Sequence, residues 1–183
     1  MRKLAPASIL LLLIMSAGTA ADGTSVTVRG GYFQPSDSDF KSIYGGGTCW
    51  GIEAASSVWK SLELWVSAGL FHKKGHLVPT GEETKLWLVP AGGGLRYVRP
   101  AGIFRLYAGA GVLYHVFREA NPIGDVTYGR WGAAVEAGSQ FPLQTRWFVD
   151  LHLRYSTCRM TPVELSFNAG GFQAGIGIGY RFK

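Results

Sequence analysis

Asp150, His152 and Ser156 lie at spacings of two and four residues, so an extended chain projects all three side chains from one face. An acid, an imidazole and a hydroxyl held together are the parts of a nucleophilic relay, whose chemistry is acyl transfer or hydrolysis. His72 and His76 bracket Lys73 and Lys74 with no clustered carboxylate or thiolate to complete a metal's ligand set, and His115 and His152 stand alone. Tyr107-Ala108-Gly109-Ala110-Gly111 has the glycine content of a nucleotide loop, but alternation without a following helix marks it as strand. None of these groupings implies a cofactor.

The elements that would position those residues come from the rest of the chain. Arg2 and Lys3 precede the apolar run Ile9–Met15 and the small residues Ser16–Ala21, the layout of a secretory signal peptide over residues 1–21. That run falls short of the ~20 residues a spanning helix needs. Residues 22–183 then form one domain, in which Gly, Pro or a charge interrupts every later apolar stretch within a few residues. If this domain lives in a membrane, it must do so as a closed barrel. Its 26 Gly, 13% aromatic and 16% charged residues point the same way.

Prolines at 79, 100, 122, 142 and 162 punctuate the chain at a near-regular interval. Between them the alternation of apolar with polar or small residues predicts eight strands, about 24–34, 48–56, 62–72, 85–97, 103–117, 128–141, 146–158 and 169–182. The connections alternate long and short, as in a transmembrane, antiparallel, up-and-down β-barrel of the outer-membrane type, with both chain ends on the short-turn side. The fold class is therefore all-β. Pro90 interrupts the fourth strand, and a bulge is expected near Gly92-Gly93-Gly94.

The two faces of these strands differ. On the apolar face, aromatics gather at strand ends: Tyr32, Trp50, Trp87, Tyr114, Trp131, Tyr155 and Phe172 toward the loops, and Tyr97, Phe104, Phe141, Trp147, Tyr180 and Phe182 toward the turns. Two aromatic girdles flanking an aliphatic band suit a lipid-facing exterior, since a soluble core has no reason to sort aromatics by depth. The opposite face carries Arg29, Glu53, Glu63, Arg96, Arg105, Arg130, Glu136, Asp150, His152, Arg154 and Arg181 among glycines. Eight strands enclose only enough width for side chains, so these charges must pair with one another.

The formal charge of +6 is thereby mostly internal, and no basic stripe suggests nucleic acid. Lys73 and Lys74, with His72 and His76, are the loop group placed to meet lipopolysaccharide phosphates. Cys49 and Cys158 fall on the inner face near the loop-side ends of strands two and seven. A disulfide between them is chemically permitted in an exported chain, but three strand steps separate them and a bridge requires inward-folded loops.

Strands four and five, LWLVPAGGGLRYV and FRLYAGAGVLYHV, and the final GFQAGIGIGYRF resemble the outer-membrane β-barrel family that includes the small OmpA- and OmpX-type barrels and the opacity-like surface proteins. The resemblance implies a Gram-negative outer-membrane address and, through Tyr180 and Phe182, recognition by the barrel-assembly machinery. Lys183 departs from it, because that signal usually ends on the aromatic. Lipid A deacylase barrels of similar size carry His-x-Ser on a strand, whereas the residue two before Ser156 is Arg154. The leading expectation is a non-enzymatic barrel with a structural or surface-interaction role, among outer-membrane lipid and lipopolysaccharide. A narrow pore, a lipid A-modifying enzyme and a soluble lipocalin-like barrel are the alternatives.

Overall fold

A computed structural model describes residues 23–76, 83–121, 124–161 and 166–182. The leader expected over 1–21, and Lys183, lie outside them. Eight long strands close on themselves: β1 (Ser25–Pro35), β2 (Gly47–Trp59), β3 (Leu62–His76), β4 (Glu83–Ala101), β5 (Phe104–Asn121), β6 (Gly124–Pro142), β7 (Trp147–Thr157) and β10 (Gly171–Arg181). Every neighbouring pair is antiparallel, and β1 pairs with β10 from Ser25↔Arg181 to Pro35↔Gly171 to seal the barrel. A closed ladder leaves no unpaired strand edge, which is the condition for crossing hydrocarbon with strands.

The short turns lie where expected, around residues 60, 102 and 144. Two of them are shaped by residues with positive φ, Lys60 at 40° and Gly102 at 64°. The opposite end is more elaborate than the sequence suggests. The β3–β4 and β5–β6 ladders run on through much of the anticipated loops, as far as His76↔Glu83 and Asn121↔Gly124. β4 and β6 each have 19 residues, a surplus of roughly eight over the ~9–11 that cross a bilayer. One side of the barrel is therefore a tall wall. On the other side the first connection folds into a short helix, α1 (Ser38–Tyr44), and the last forms a small hairpin of β8 (Arg159–Met160) and β9 (Phe167–Asn168).

Pro90 does not create a bulge. The β3–β4 register is unchanged from Leu62↔Tyr97 to His76↔Glu83, and the β4–β5 register is continuous through Pro90↔His115. Bridging skips Gly69, Leu70, Val89 and Pro90, and the proline ring lies against Gly69, 3.2 Å from where a Cβ would be. The ladder gives up the bond that Pro90 cannot donate, and the bare glycine opposite accepts the ring, so no extra residue is needed. The register shift falls instead at Ser57/Trp59, beside the first turn.

Candidate functional site: a filled lumen

Alternation decides what enters the lumen. Arg29 from β1, Glu53 from β2, Glu63 from β3, Arg96 from β4, Arg105 and Tyr107 from β5, Glu136 and Gln140 from β6, Asp150, His152 and Arg154 from β7 and Arg181 from β10 all take the inward position of the pleat. Every barrel strand thus contributes at least one polar side chain.

Glu53 is the hub. It accepts from both terminal nitrogens of Arg29, from Arg96 Nη1 at 2.7 Å and from Arg154 Nη2 at 3.0 Å. Arg29 Nε also donates to Asp150 at 2.8 Å, and Tyr107 Oη bridges the two, accepting from Arg29 and donating to Asp150 at 3.0 Å. Arg96 holds Glu63 through Nε and Nη2, Glu63 receives Arg105 at 2.8 Å, and Arg154 reaches Glu136 at 2.6 Å. Asp150, Arg96 and Glu53 are 0%, 1% and 2% exposed. A carboxylate buried that deeply is tolerable only when several cations face it, and here three guanidiniums from β1, β4 and β7 share one.

Two aromatic rings inside the barrel, Trp65 and Tyr107, which belong to neither girdle, complete this layer. Trp65 points inward with no exposure, and Arg154 lies over its ring at 4.9 Å; Arg96 lies over Tyr107 at 4.5 Å. Glycines make room for these rings: a Cβ on Gly111 would come within 2.6 Å of the Trp65 indole, and one on Gly138 within 2.4 Å of Tyr107. The inward parity of Trp65 between Leu64 and Val66, and of Tyr107 between Leu106 and Ala108, is the signal that could have found them.

The remaining expected charges lie at the edge of this knot or beyond it. Arg181 and Arg105 share Gln140 Oε1 near the turn side, at 2.8 and 3.1 Å. Arg130, expected inside, is exposed. β6 has by then risen past its neighbour β7, so inward parity there no longer means enclosure. His152 is buried with Nδ1 3.9 Å from Asp150 Oδ2 and Nε2 facing Gln173 Nε2 at 3.5 Å. Asp150 is engaged by Arg29 and Tyr107, and among the described residues no hydrogen bond joins His152 to Ser156. The three residues that opened as a relay share a face without forming one. Among the described residues no three His, Cys, Asp or Glu side chains are placed to hold a metal.

Above the ionic layer the lumen turns apolar. Phe33, Phe71, Leu88 and Phe117 point inward from four strands, and Phe40 and Tyr44 of α1 descend onto them with Met160 and Ala169. Phe40 packs on Tyr44, Phe167 and Phe117 at ring separations of 5.1, 5.8 and 6.3 Å. Asp37 caps α1, accepting from Asp39 N and Phe40 N, and its other oxygen accepts from Asn168 N at 2.9 Å, tying the helix to β9. Burial pushes the Asp37 carboxyl up, but the three backbone donors of Asn168, Phe40 and Asp39 more than offset this and hold it below its ordinary 3.8. Cys49 and Cys158 are buried in this same cluster as free thiols, not a disulfide.

Between the two layers lies a cavity of about 40 Å³, with Phe33, Phe71 and Leu88 above and His115, His152 and Arg154 below. That is room for a few waters at ~10–15 Å³ each, not for a permeating solute.

The exterior carries the opposite surface. Trp131, Trp50, Val28 and Ile178 are 66%, 63%, 59% and 58% exposed, a density of bare apolar groups that only a lipid surround explains. Tyr114 packs edge-on against Trp131 toward the loop side, and Phe104 against Phe141 and Trp147 against Tyr180 toward the turns. Trp87 differs, being half-buried between His72 and Arg118.

An apolar outside, an ionic inside and a closed ladder of eight strands define a small barrel of the outer membrane. The profile described as "Outer membrane protein beta-barrel domain" matches residues 7–182, and the chain belongs to that family. No curated protein matches the chain. Among solved structures it is similar to neisserial surface protein A (18% identity, TM-score 0.66, covering 87% of this chain and 97% of that one). It is similar to OprG from Pseudomonas aeruginosa (18%, 0.66, 89% and 98%) and to Ail, the attachment invasion locus protein of Yersinia pestis (13%, 0.54, 88% and 100%). At these identities the likeness is one of fold. The protein is an integral outer-membrane β-barrel with an ion-pair network in its interior.

Proposed function

We propose that the barrel is a non-conducting, non-enzymatic anchor that holds its loop-side end, the β3–β6 wall together with α1 and the β8–β9 hairpin, at the cell surface. The observation that supports this reading most directly is the double filling of the lumen. Glu53 draws guanidiniums from three strands into one knot, and an aromatic plug descends on it from α1. A pore needs a continuous aqueous path, and a lipid-acting enzyme needs a nucleophile open to the acyl chains; Ser156 is buried inside instead. The aromatic end of β10, with Tyr180 packed edge-on against Phe182, suits recognition by the barrel-assembly machinery after removal of the leader. Lipopolysaccharide is the natural neighbour of the loop-side girdle.

Two measurements test this reading. Proteoliposomes containing the purified barrel should not swell in small sugars, and lipid A from expressing cells should keep its acylation by mass spectrometry. Swelling above protein-free vesicles would establish a pore, and loss or gain of one acyl chain an enzyme.

A further inference from the structure

The turn-side mouth of the lumen holds a cation without an acid. Arg29, Arg96, Arg105 and Arg154 each pair with at least one carboxylate of the ionic layer, whereas among the described residues Arg181 pairs with none. Arg181 Nη2 donates to Gln140 Oε1 at 2.8 Å, and the same oxygen receives Arg105 Nη1 at 3.1 Å. Two like charges are thus drawn to one neutral acceptor, an arrangement that costs Coulomb energy until an anion joins it. Glu63, the carboxylate that Arg105 reaches, is already shared with Arg96.

The pair is held in position from within the barrel. Gln140 is buried, and the Arg181 guanidinium lies over the buried Phe148 ring at 5.1 Å. That ring takes the space that a Cβ on Gly179 would fill. Ser25, opposite Arg181 in the β1–β10 ladder, brings a hydroxyl with the same inward parity. A guanidinium has five N–H donors. Among the described residues Arg181 spends one of them on a protein acceptor, while Arg105 serves Gln140 and Glu63. The Arg105 side chain is 30% exposed and Arg181 is half-buried, so water at the turn side reaches both.

We propose that Arg105, Arg181 and Gln140, with the Ser25 hydroxyl, form an anion site at the turn-side mouth that takes inorganic phosphate or the phosphate group of a small soluble ester. Two guanidiniums with unspent donors match the several oxygens and the charge of phosphate through charge-assisted hydrogen bonds. The Gln140 and Phe148 contacts already fix the Arg181 fork, so little order is lost on binding. The occupant is soluble rather than a lipid headgroup because both arginines project into the lumen, with the closed ladder between them and the surrounding lipid. Replacing Arg181 leaves no buried acid unpaired, so the site can be altered without unsettling the Glu53 knot.

The test follows the arginine Nε–Hε signals of the folded, full-length, nitrogen-15-labelled barrel in zwitterionic micelles. Sodium phosphate is titrated in while sodium chloride holds the ionic strength constant. The Arg105 and Arg181 signals should shift saturably, and that of Arg99, exposed on the outside near the same end, should not. A charge-assisted hydrogen bond is worth about tenfold or more in affinity, so Arg181→Gln should weaken phosphate binding, read at Arg105, at least about tenfold. Arg181→Lys, which keeps the charge and loses the fork, should weaken it less, and Arg99→Gln should leave it unchanged. Heat-modifiable gel migration establishes that each variant folds. Shifts that fail to saturate, or equal affinity in Arg181→Gln and wild type, would overturn the site. Short-chain phosphatidylglycerol added to the micelles should not move these signals; a response to that lipid with none to inorganic phosphate would overturn the soluble occupant.

Discussion

The middle of the lumen and its loop-side mouth are filled in contrasting ways by the same eight strands. In the middle, charges from all around the barrel meet over a few residues' height, and Glu53 alone joins β2 to β1, β4 and β7. At the mouth the contacts are apolar, and a seven-residue helix supplies the central side chain. The ionic layer is woven into the barrel wall, so disturbing it disturbs the fold. The plug hangs from two loops, so it can loosen by itself. Buried ion pairs are weak sources of stability relative to a well-packed apolar core, but removing one partner strands the others. The middle should therefore be the less forgiving region, although it is the more polar.

The widest separation between the regions should come from Glu53→Ala, which leaves Arg29, Arg96 and Arg154 short of their shared acid. A loss of about 3–5 kcal/mol is expected in reversible urea unfolding from lipid vesicles. A change under about 1 kcal/mol would mean that the guanidiniums find water or other acids at little cost, and would break the contrast. Phe40→Ala comes next. It removes the ring packed on Tyr44, Phe117 and Phe167, at a cost toward the low end of the ~3–5 kcal/mol typical of Phe→Ala. That loss should be confined to the mouth: Cys49 and Cys158 should label faster with a maleimide, while the barrel's unfolding midpoint holds. A falling midpoint with unchanged labelling would show the plug to be part of the wall.

Asp37→Ala should have a smaller effect, about 1 kcal/mol as for other N-cap deletions, read as faster amide exchange in α1 alone. A related expectation concerns pH. The Asp37 carboxyl is held below its ordinary 3.8, so the clamp on Asn168 and α1 is complete above that range and lost as pH falls through the depressed value. Protection of α1 should drop below about pH 4 in the wild type and not in Asp37→Asn. Equal acid sensitivity in the two proteins would remove the carboxylate from the account.

How much of this was legible in the sequence differs between the two regions for physical reasons. Strand parity is a strong signal where faces differ sharply, and Arg29, Glu53, Glu63, Arg96, Glu136 and Asp150 stood opposite Val28, Ile52, Leu64, Leu95, Val135 and Leu151, so the ionic layer could be anticipated. At the mouth the rule fails, because Phe71 and Leu88 are inward yet as apolar as the lipid face, and alternation there carries no contrast. Helix α1 is too short for a 3.6-residue period to register, and its formation depends on the Asp37 cap and on burial of Phe40 and Tyr44. The donor that Pro90 lacks is legible in the sequence. The proline's accommodation depends on Gly69, which adjoins it across the β3–β4 ladder and twenty-one residues earlier in the chain. The Asp150, His152 and Ser156 alignment was also real, but parity says which face a residue takes and not which atoms meet on it.

The claim that the ionic layer closes the barrel is tested most directly by single-channel recording in planar bilayers, with wild type and Phe40→Ala side by side. The account predicts no stable conductance steps from either, because loosening the plug leaves the Glu53 knot in place. Reproducible steps from the wild type would contradict it.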